Sequence, residues 1–244
     1  MQCAYFIVFA SLSTAFVQSA VADDVRDSDW SPIPFTASYQ VRYEGVPFSV
    51  TGTRTLWQAE NGVWEFESEV SAFMISMEEQ TRFAQTPDGT LRADQYQERR
   101  SGLLGDRMLV ATFDWIVPRV IRTGHRPQEH EFEGHLHDPV TWQIALQRDL
   151  ALTEFEEGQV FTYAVSNGSE PEEYRMVVRG TQAVSVPAGT FDAVLIEREH
   201  EPDDARETRI WLALERGFQI VRFEHLDDRR LTLELEDLET DRDD

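Results

Sequence analysis

The chain has 244 residues, 45 of them Asp or Glu and 22 Lys or Arg, which gives a formal net charge of −23 at neutral pH. Its 41% apolar and 27% charged residues suit a globular core rather than a disordered chain. The acidity argues against nucleic acid as a partner, which needs a basic patch. Only the first 22 residues form a long uncharged apolar stretch, which excludes a polytopic membrane protein.

Met1–Ala22 carries no charge, has an apolar heart from Tyr5 to Val17, and ends in Ala20-Val21-Ala22 before Asp23-Asp24. Small residues at −3 and −1 fit signal-peptidase cleavage, so residues 1–22 are read as a signal peptide and the mature chain is expected in the periplasm. No Lys or Arg precedes the run. The alternative is an uncleaved anchor, for which the run is short. The single cysteine, Cys3, lies in this segment, so the mature fold has no disulfide and depends on its core.

Residues 23–34 read as a flexible leader, and strict alternation begins at Phe35. Ala37, Tyr39, Val41 and Tyr43 share one face. Trp64, Phe66 and Val70 alternate with Glu65, Glu67 and Glu69. Period two with one apolar and one charged face predicts antiparallel strands covered on one side. The same pattern covers 78–85, 91–99, 106–115, 118–123, 159–166, 172–179, 190–199, 206–214, 218–225 and 230–238. Asn61-Gly62, Pro87-Asp88-Gly89, Asn167-Gly168 and Pro187-Ala188-Gly189 supply turns between them. Asn167-Gly168-Ser169 is formally a glycosylation sequon but is read as a turn.

One segment departs from period two. Asp138 is a good N-cap and Pro139 a good first residue for a helix over about 139–150. Val140, Trp142, Ile144, Ala145, Leu146 and Leu150 form an apolar girdle wide enough to pack against a sheet. The expected fold is mainly β: one large curved antiparallel sheet or incomplete barrel of about a dozen strands, spanning 35–238, with one packed helix. Residues 239–244 form an acidic tail.

Every basic residue is Arg. A surface of Asp, Glu and Arg without Lys resembles exported proteins of salt-tolerant, GC-rich bacteria; codon bias is the alternative explanation. Only salt adaptation expects the fold to gain from screening of its self-repulsion.

A series of short segments occurs in a recognisable order. It runs from Tyr39-Gln40-Val41-Arg42-Tyr43-Glu44-Gly45 through Gly89–Tyr96 and the helix entry Asp138-Pro139-Val140-Thr141-Trp142-Gln143. It continues with Gly158-Gln159-Val160-Phe161, Val186–Ala193 and Ile210-Trp211-Leu212-Ala213. The series resembles DUF3108, an exported bacterial domain of unknown function, over roughly 35–238. The resemblance implies a curved sheet with helical cover and supplies no catalytic residue. It also implies a looser fold-level likeness to periplasmic lipoprotein carriers of the LolA/LolB type.

The chemistry in the residues is sparse. There is no Gly-x-Ser-x-Gly elbow, phosphate loop or dinucleotide fingerprint, and the reading is against an enzyme and against any cofactor. His125, His130, His135 and His137 cluster before the helix. His135, His137 and Asp138 are weak candidates for a zinc or copper site; a solvated loop with Asp138 as helix cap is the competing reading. Adjacent acids such as Glu156-Glu157, Asp203-Asp204 and Asp227-Asp228 follow from composition, with no glycosidase pair or calcium loop marked out. The aromatic residues fall mostly on the apolar face. Tyr39, Trp64, Phe66, Trp142 and Trp211 are candidates to line a site for a hydrophobic ligand or an envelope protein. A filled core or a structural adaptor are the competing readings.

Overall fold

The structure is a computed structural model that describes residues 30–72, 75–102, 105–201 and 204–240. The segment read as a signal peptide, most of the stretch read as a leader and the end of the acidic tail lie outside the described residues.

Fourteen strands form one antiparallel sheet. They are β1 Phe35–Tyr43, β2 Val50–Gln58, β3 Trp64–Ala72, β4 Ile75–Gln85, β5 Leu91–Ser101, β6 Arg107–Asp114, β7 Arg119–Gly124, β8 Gln128–Glu131, β9 Val160–Val165, β10 Glu172–Val186, β11 Gly189–Glu199, β12 Glu207–Ala213, β13 Gln219–Leu226 and β14 Arg230–Thr240. The spatial order is β8-β7-β6-β5-β4-β3-β2-β1-β14-β13-β12-β11-β10-β9. Two meanders are thus joined where the first strand pairs with the last. The sheet is curved but not closed, as the alternating pattern predicts.

The alternation translates directly into burial. Trp64 and Phe66 are buried while Glu67 and Glu69 are exposed. Across the outer face arginines pair with carboxylates on neighbouring strands, as in Arg175–Glu199 at 2.7 Å and Arg209–Glu197 at 3.2 Å. Each such exposed pair is worth about 0.2–1 kcal/mol.

The register shifts bend the sheet. In β14 the inward residues run Leu231, Leu233, Leu235, then Leu238. Glu236 is the extra residue where the pairing jumps from Tyr39↔Leu235 to Ser38↔Asp237. In β5 the inward phase changes from Ala93 to Tyr96 because Phe83 pairs with Ala93 while Arg82 pairs with Gln95. Such bulges increase local twist and let a long sheet wrap around a core.

The helix α1, Thr141–Leu152, follows a turn at Pro139-Val140 and starts two residues later than the sequence suggests. Asp138 still caps it: its Oδ1 accepts from the N–H of Val140 at 2.7 Å and of Thr141 at 2.8 Å, and the Thr141 hydroxyl accepts from the Asp138 N–H at 2.9 Å. Trp142, Ile144, Ala145, Leu146 and Leu150 are all buried, so the helix fills the concave side. It is tied there by Arg148 to the Gly89 carbonyl and by the Tyr163 hydroxyl to Asp149, both bonds 2.8–2.9 Å.

The segment leading into the helix also covers one sheet edge. The His137 N–H donates to Ala164 O and its carbonyl accepts from the Ser166 N–H, both at 2.9 Å. This satisfies groups that edge strand β9 would otherwise expose.

Two strands lie outside the alternation read from the sequence, β2 and β8. β8, Gln-Glu-His-Glu, has no apolar residue to mark a face. β2 has Gly52 and Arg54 where apolar residues would be expected.

Candidate functional site

The exception in β2 is where the site is built. Val50, Gly52, Arg54 and Leu56 share the inward face of that strand, and Tyr39 lies directly opposite Gly52. Arg54 sits between Ala37 on β1 and Ser68 on β3, and Ser68 in turn pairs with Glu79 on β4. Small side chains at 37 and 68 leave room for a guanidinium and a carboxylate on the inner face. Without a side chain at Gly52 a cavity persists in front of Tyr39. A Cβ there would lie 3.1 Å from Val41 Cγ2.

This cavity has a volume of about 200 Å3. Its wall is largely apolar: Val41, Val70, Met77, Ile220, Phe223 and Leu233. Arg54, Glu79, Ser68 and Gln143, the last from the first turn of α1, supply polar groups, and Thr53 and Glu69 lie at its edge. Tyr43 continues the inward face of β1 beyond Val41, opposite Leu231. It is exposed together with Val46 and Phe48 in the following hairpin, which places an apolar rim on the same end of the strands.

The polar groups are held in place. Arg54 Nη2 donates to Gln143 Oε1 at 2.8 Å, Gln143 Nε2 donates to Pro139 O at 2.8 Å, and the guanidinium lies 4.9 Å from the Phe66 ring centre. The Tyr39 hydroxyl donates to Ile220 O at 2.8 Å across the sheet. The Tyr96 hydroxyl donates to Glu79 Oε1 at 2.6 Å. Burial pushes the Glu79 carboxyl up, against the opposing effects of Tyr96 and Arg54. Asp138, fully buried beneath this layer, bonds Thr81 and is pushed up to about 6 by burial.

The candidate residues from the sequence separate into different places. Tyr39 lines the cavity, and Phe66 lies under Arg54. Trp64 stacks on Phe83 with centroids 6.3 Å apart. Trp142 packs edge-on to Tyr174 at 5.4 Å, between α1 and the second meander. Trp211 is buried with the Arg222 guanidinium over its ring. Arg54 and Glu79 escaped the sequence reading. Their signal is a charged residue in phase with apolar neighbours, Leu56 for one and Phe83 for the other.

The histidines do not gather. His125 follows β7 and His130 lies in β8, whereas the His135 and His137 rings pack edge-on with centroids 4.4 Å apart. His137 also packs on Tyr163. Burial, reinforced by His135 and Arg148, lowers it to about 3, so it is neutral. The Asp138 carboxylate is occupied by the helix cap and Thr81. Among the described residues no three His, Cys, Asp or Glu side chains are placed to share a metal ion.

Among the described residues no helix is long and apolar enough to cross a membrane. The fold is similar to that of the β-barrel-like protein of the domain of unknown function DUF1849 from Brucella abortus. That match has a TM-score of 0.58 and 11% identity, covering 86% of this chain and 98% of the other. A candidate lipoprotein of Parabacteroides distasonis aligns with a TM-score of 0.33 at 11% identity, over 85% of this chain and 95% of that one. No curated protein matches the sequence. The family model described as protein of unknown function, DUF3108, matches residues 38–233, and the chain belongs to that family.

Proposed function

We propose that this DUF3108 member is a non-enzymatic binding protein of the bacterial periplasm whose cavity takes the anionic head and first carbons of a small amphiphile. The signal-like segment 1–22 supports the location. The observation that carries the binding reading is Arg54: a single guanidinium fixed by Gln143 in a wall otherwise made largely of aliphatic and aromatic side chains. Ligand pockets combine such a wall with a few placed polar groups. The size limits the ligand. An apolar cavity of about 150 Å3 holds one benzene, so about 200 Å3 takes a carboxylate with one ring or a few carbons behind it. The rest of a longer molecule would lie along the rim at Tyr43, Val46 and Phe48.

Calorimetric titration of the mature protein with octanoate and octan-1-ol tests this reading. Octanoate is expected to bind more tightly than the alcohol. Arg54→Met, which keeps the apolar stem, is expected to weaken octanoate by about tenfold or more, the value of one charge-assisted hydrogen bond. No heat with octanoate, or equal affinity in the variant, would sink it.

A second reading rests on the filled interior. Tyr39, Phe66, Phe83, Tyr96, Leu146 and Leu150 are each almost completely buried around α1. A sheet so packed also suits an adaptor that receives an apolar segment of an envelope protein at the same rim.

A further inference from the structure

The inner face of β5, β6 and β7 ends differently from that of β1–β4. Glu98 and Arg100 continue the inward phase of Tyr96 along β5. Arg107 continues that of Leu109 and Ala111 along β6, and Arg122, opposite Ala111, is inward on β7. These residues, with Met108, His125 and Asn167, line a concavity of about 210 Å3 at the strand ends where the apolar rim also lies.

Two features of this arrangement favour an anion. Arg100 and Arg107 are direct cross-strand partners, and like charges in that position repel. Arg100 is compensated by Glu98 at 2.8 Å. For Arg107, Arg122 and Arg126 no carboxylate lies within ion-pair distance among the described residues, although the chain as a whole carries 45 acids. Arg122 is also 91% buried, since its exposure is 9%. Its Nε donates to the His125 carbonyl at 3.0 Å, and its terminal nitrogens have no protein acceptor among the described residues. The stem of Arg122 is thus buried while the tip of its guanidinium opens into the concavity, free to meet an acceptor there.

The backbone maintains the cluster. Gly168, with φ +86°, lets the Asn167-Gly168-Ser169 turn press on the Arg122 stem. Arg126, at the margin of the concavity, has φ +53°, a left-handed conformation uncommon outside glycine. The positive field is felt at His125, whose pKa is lowered by burial and then by Arg107, Arg126 and Arg122.

We propose that this basic end of the inner face, formed by Arg107, Arg122 and the His125-Arg126 turn, binds a phosphate-type anion. Several oxygens on one centre match converging guanidinium forks. The site is separate from the Arg54 cavity and does not depend on what that cavity holds. The anion can be a free phosphate or a lipid headgroup.

The test follows the His125 ring resonances of the mature protein by NMR at fixed pH and ionic strength. Inorganic phosphate is expected to shift them saturably, with chloride producing no such change. Arg107 and Arg126 are exposed, so the double variant Arg107→Gln/Arg126→Gln should keep the wild-type melting temperature and bind phosphate at least tenfold more weakly. Flotation with phosphatidylglycerol and phosphatidylcholine vesicles distinguishes the sources. Binding to the former alone, lost in the double variant, identifies a headgroup, and saturation by phosphate without flotation identifies a soluble anion. No response to phosphate or to either vesicle, or a response unchanged in the double variant, would overturn the proposal.

Discussion

Replacing Asp138 by Asn should remove a pH dependence from the fold. Asp138 joins α1 to β4: its carboxylate accepts from Val140 N, Thr141 N and the Thr81 hydroxyl, and it has no exposure to solvent. Burial raises its pKa from 3.8 to about 6. The unfolded chain releases this proton near pH 4, whereas the folded chain keeps it until about pH 6. Within that window the native state holds one proton more, so stability falls as pH rises. A shift of about 2 units corresponds to about 3 kcal/mol lost between pH 4 and 7, or roughly 6–12 °C in Tm for a chain of this size. Asn caps helices as well as Asp, and its NH2 group can meet Thr81, whose hydroxyl also donates to Gln95 O at 3.1 Å. Asp138→Asn should therefore match the wild type at pH 4 and exceed it by about 3 kcal/mol at pH 7. Urea unfolding of both proteins across this range measures the difference. Parallel stability curves would refute the reasoning, as would an Asn variant that is weaker at both ends.

Three further outcomes follow from charge, packing and processing. Thermal melts should rise as NaCl goes from low to molar concentration, because a charge of −23 repels itself; a response equal to that of a neutral protein would leave codon bias as the source of the composition. Gly168→Ala should lose about 2–3 kcal/mol in denaturant unfolding, since its Cβ would lie 2.6 Å from Arg122 Cβ at a positive φ; a loss under about 0.5 kcal/mol would show the turn to be loosely packed. N-terminal sequencing of the exported protein should begin at Asp23, and retention of residues 1–22 would contradict the processing reading.

The sheet was legible because most strands bury one face and wet the other, so Trp64-x-Phe66 between glutamates reports its own orientation. The helix was legible from Asp138 and Pro139, with its assigned start displaced by one turn residue pair. The site was harder to see for the same physical reason. Periodicity finds positions that obey the apolar face, whereas a binding cavity is made where that face is interrupted. Gly52 empties a position, Arg54 charges one, and together they removed β2 from the pattern; only the β-branched Thr51, Thr53 and Thr55 on the outward side still spoke for a strand. Glu79 was concealed in a similar way, by the adjacent Glu78, which makes the pair read as solvated charge. The large aromatics drew attention because of size. Trp64, Trp142 and Trp211 are buried in packing instead, where their area stabilises the core. The basic concavity was illegible for another reason: Arg107, Arg122 and Arg126 are spread over three elements and meet only through strand pairing.

Native mass spectrometry of the protein isolated from the cells that produce it, with extraction of whatever it carries, tests the binding account most directly. The account predicts a small anionic amphiphile released from the wild type and depleted in Arg54→Met. An empty wild-type protein that is indistinguishable from the variant, with Trp142 fluorescence inaccessible to quenchers in both, would contradict it and favour the adaptor.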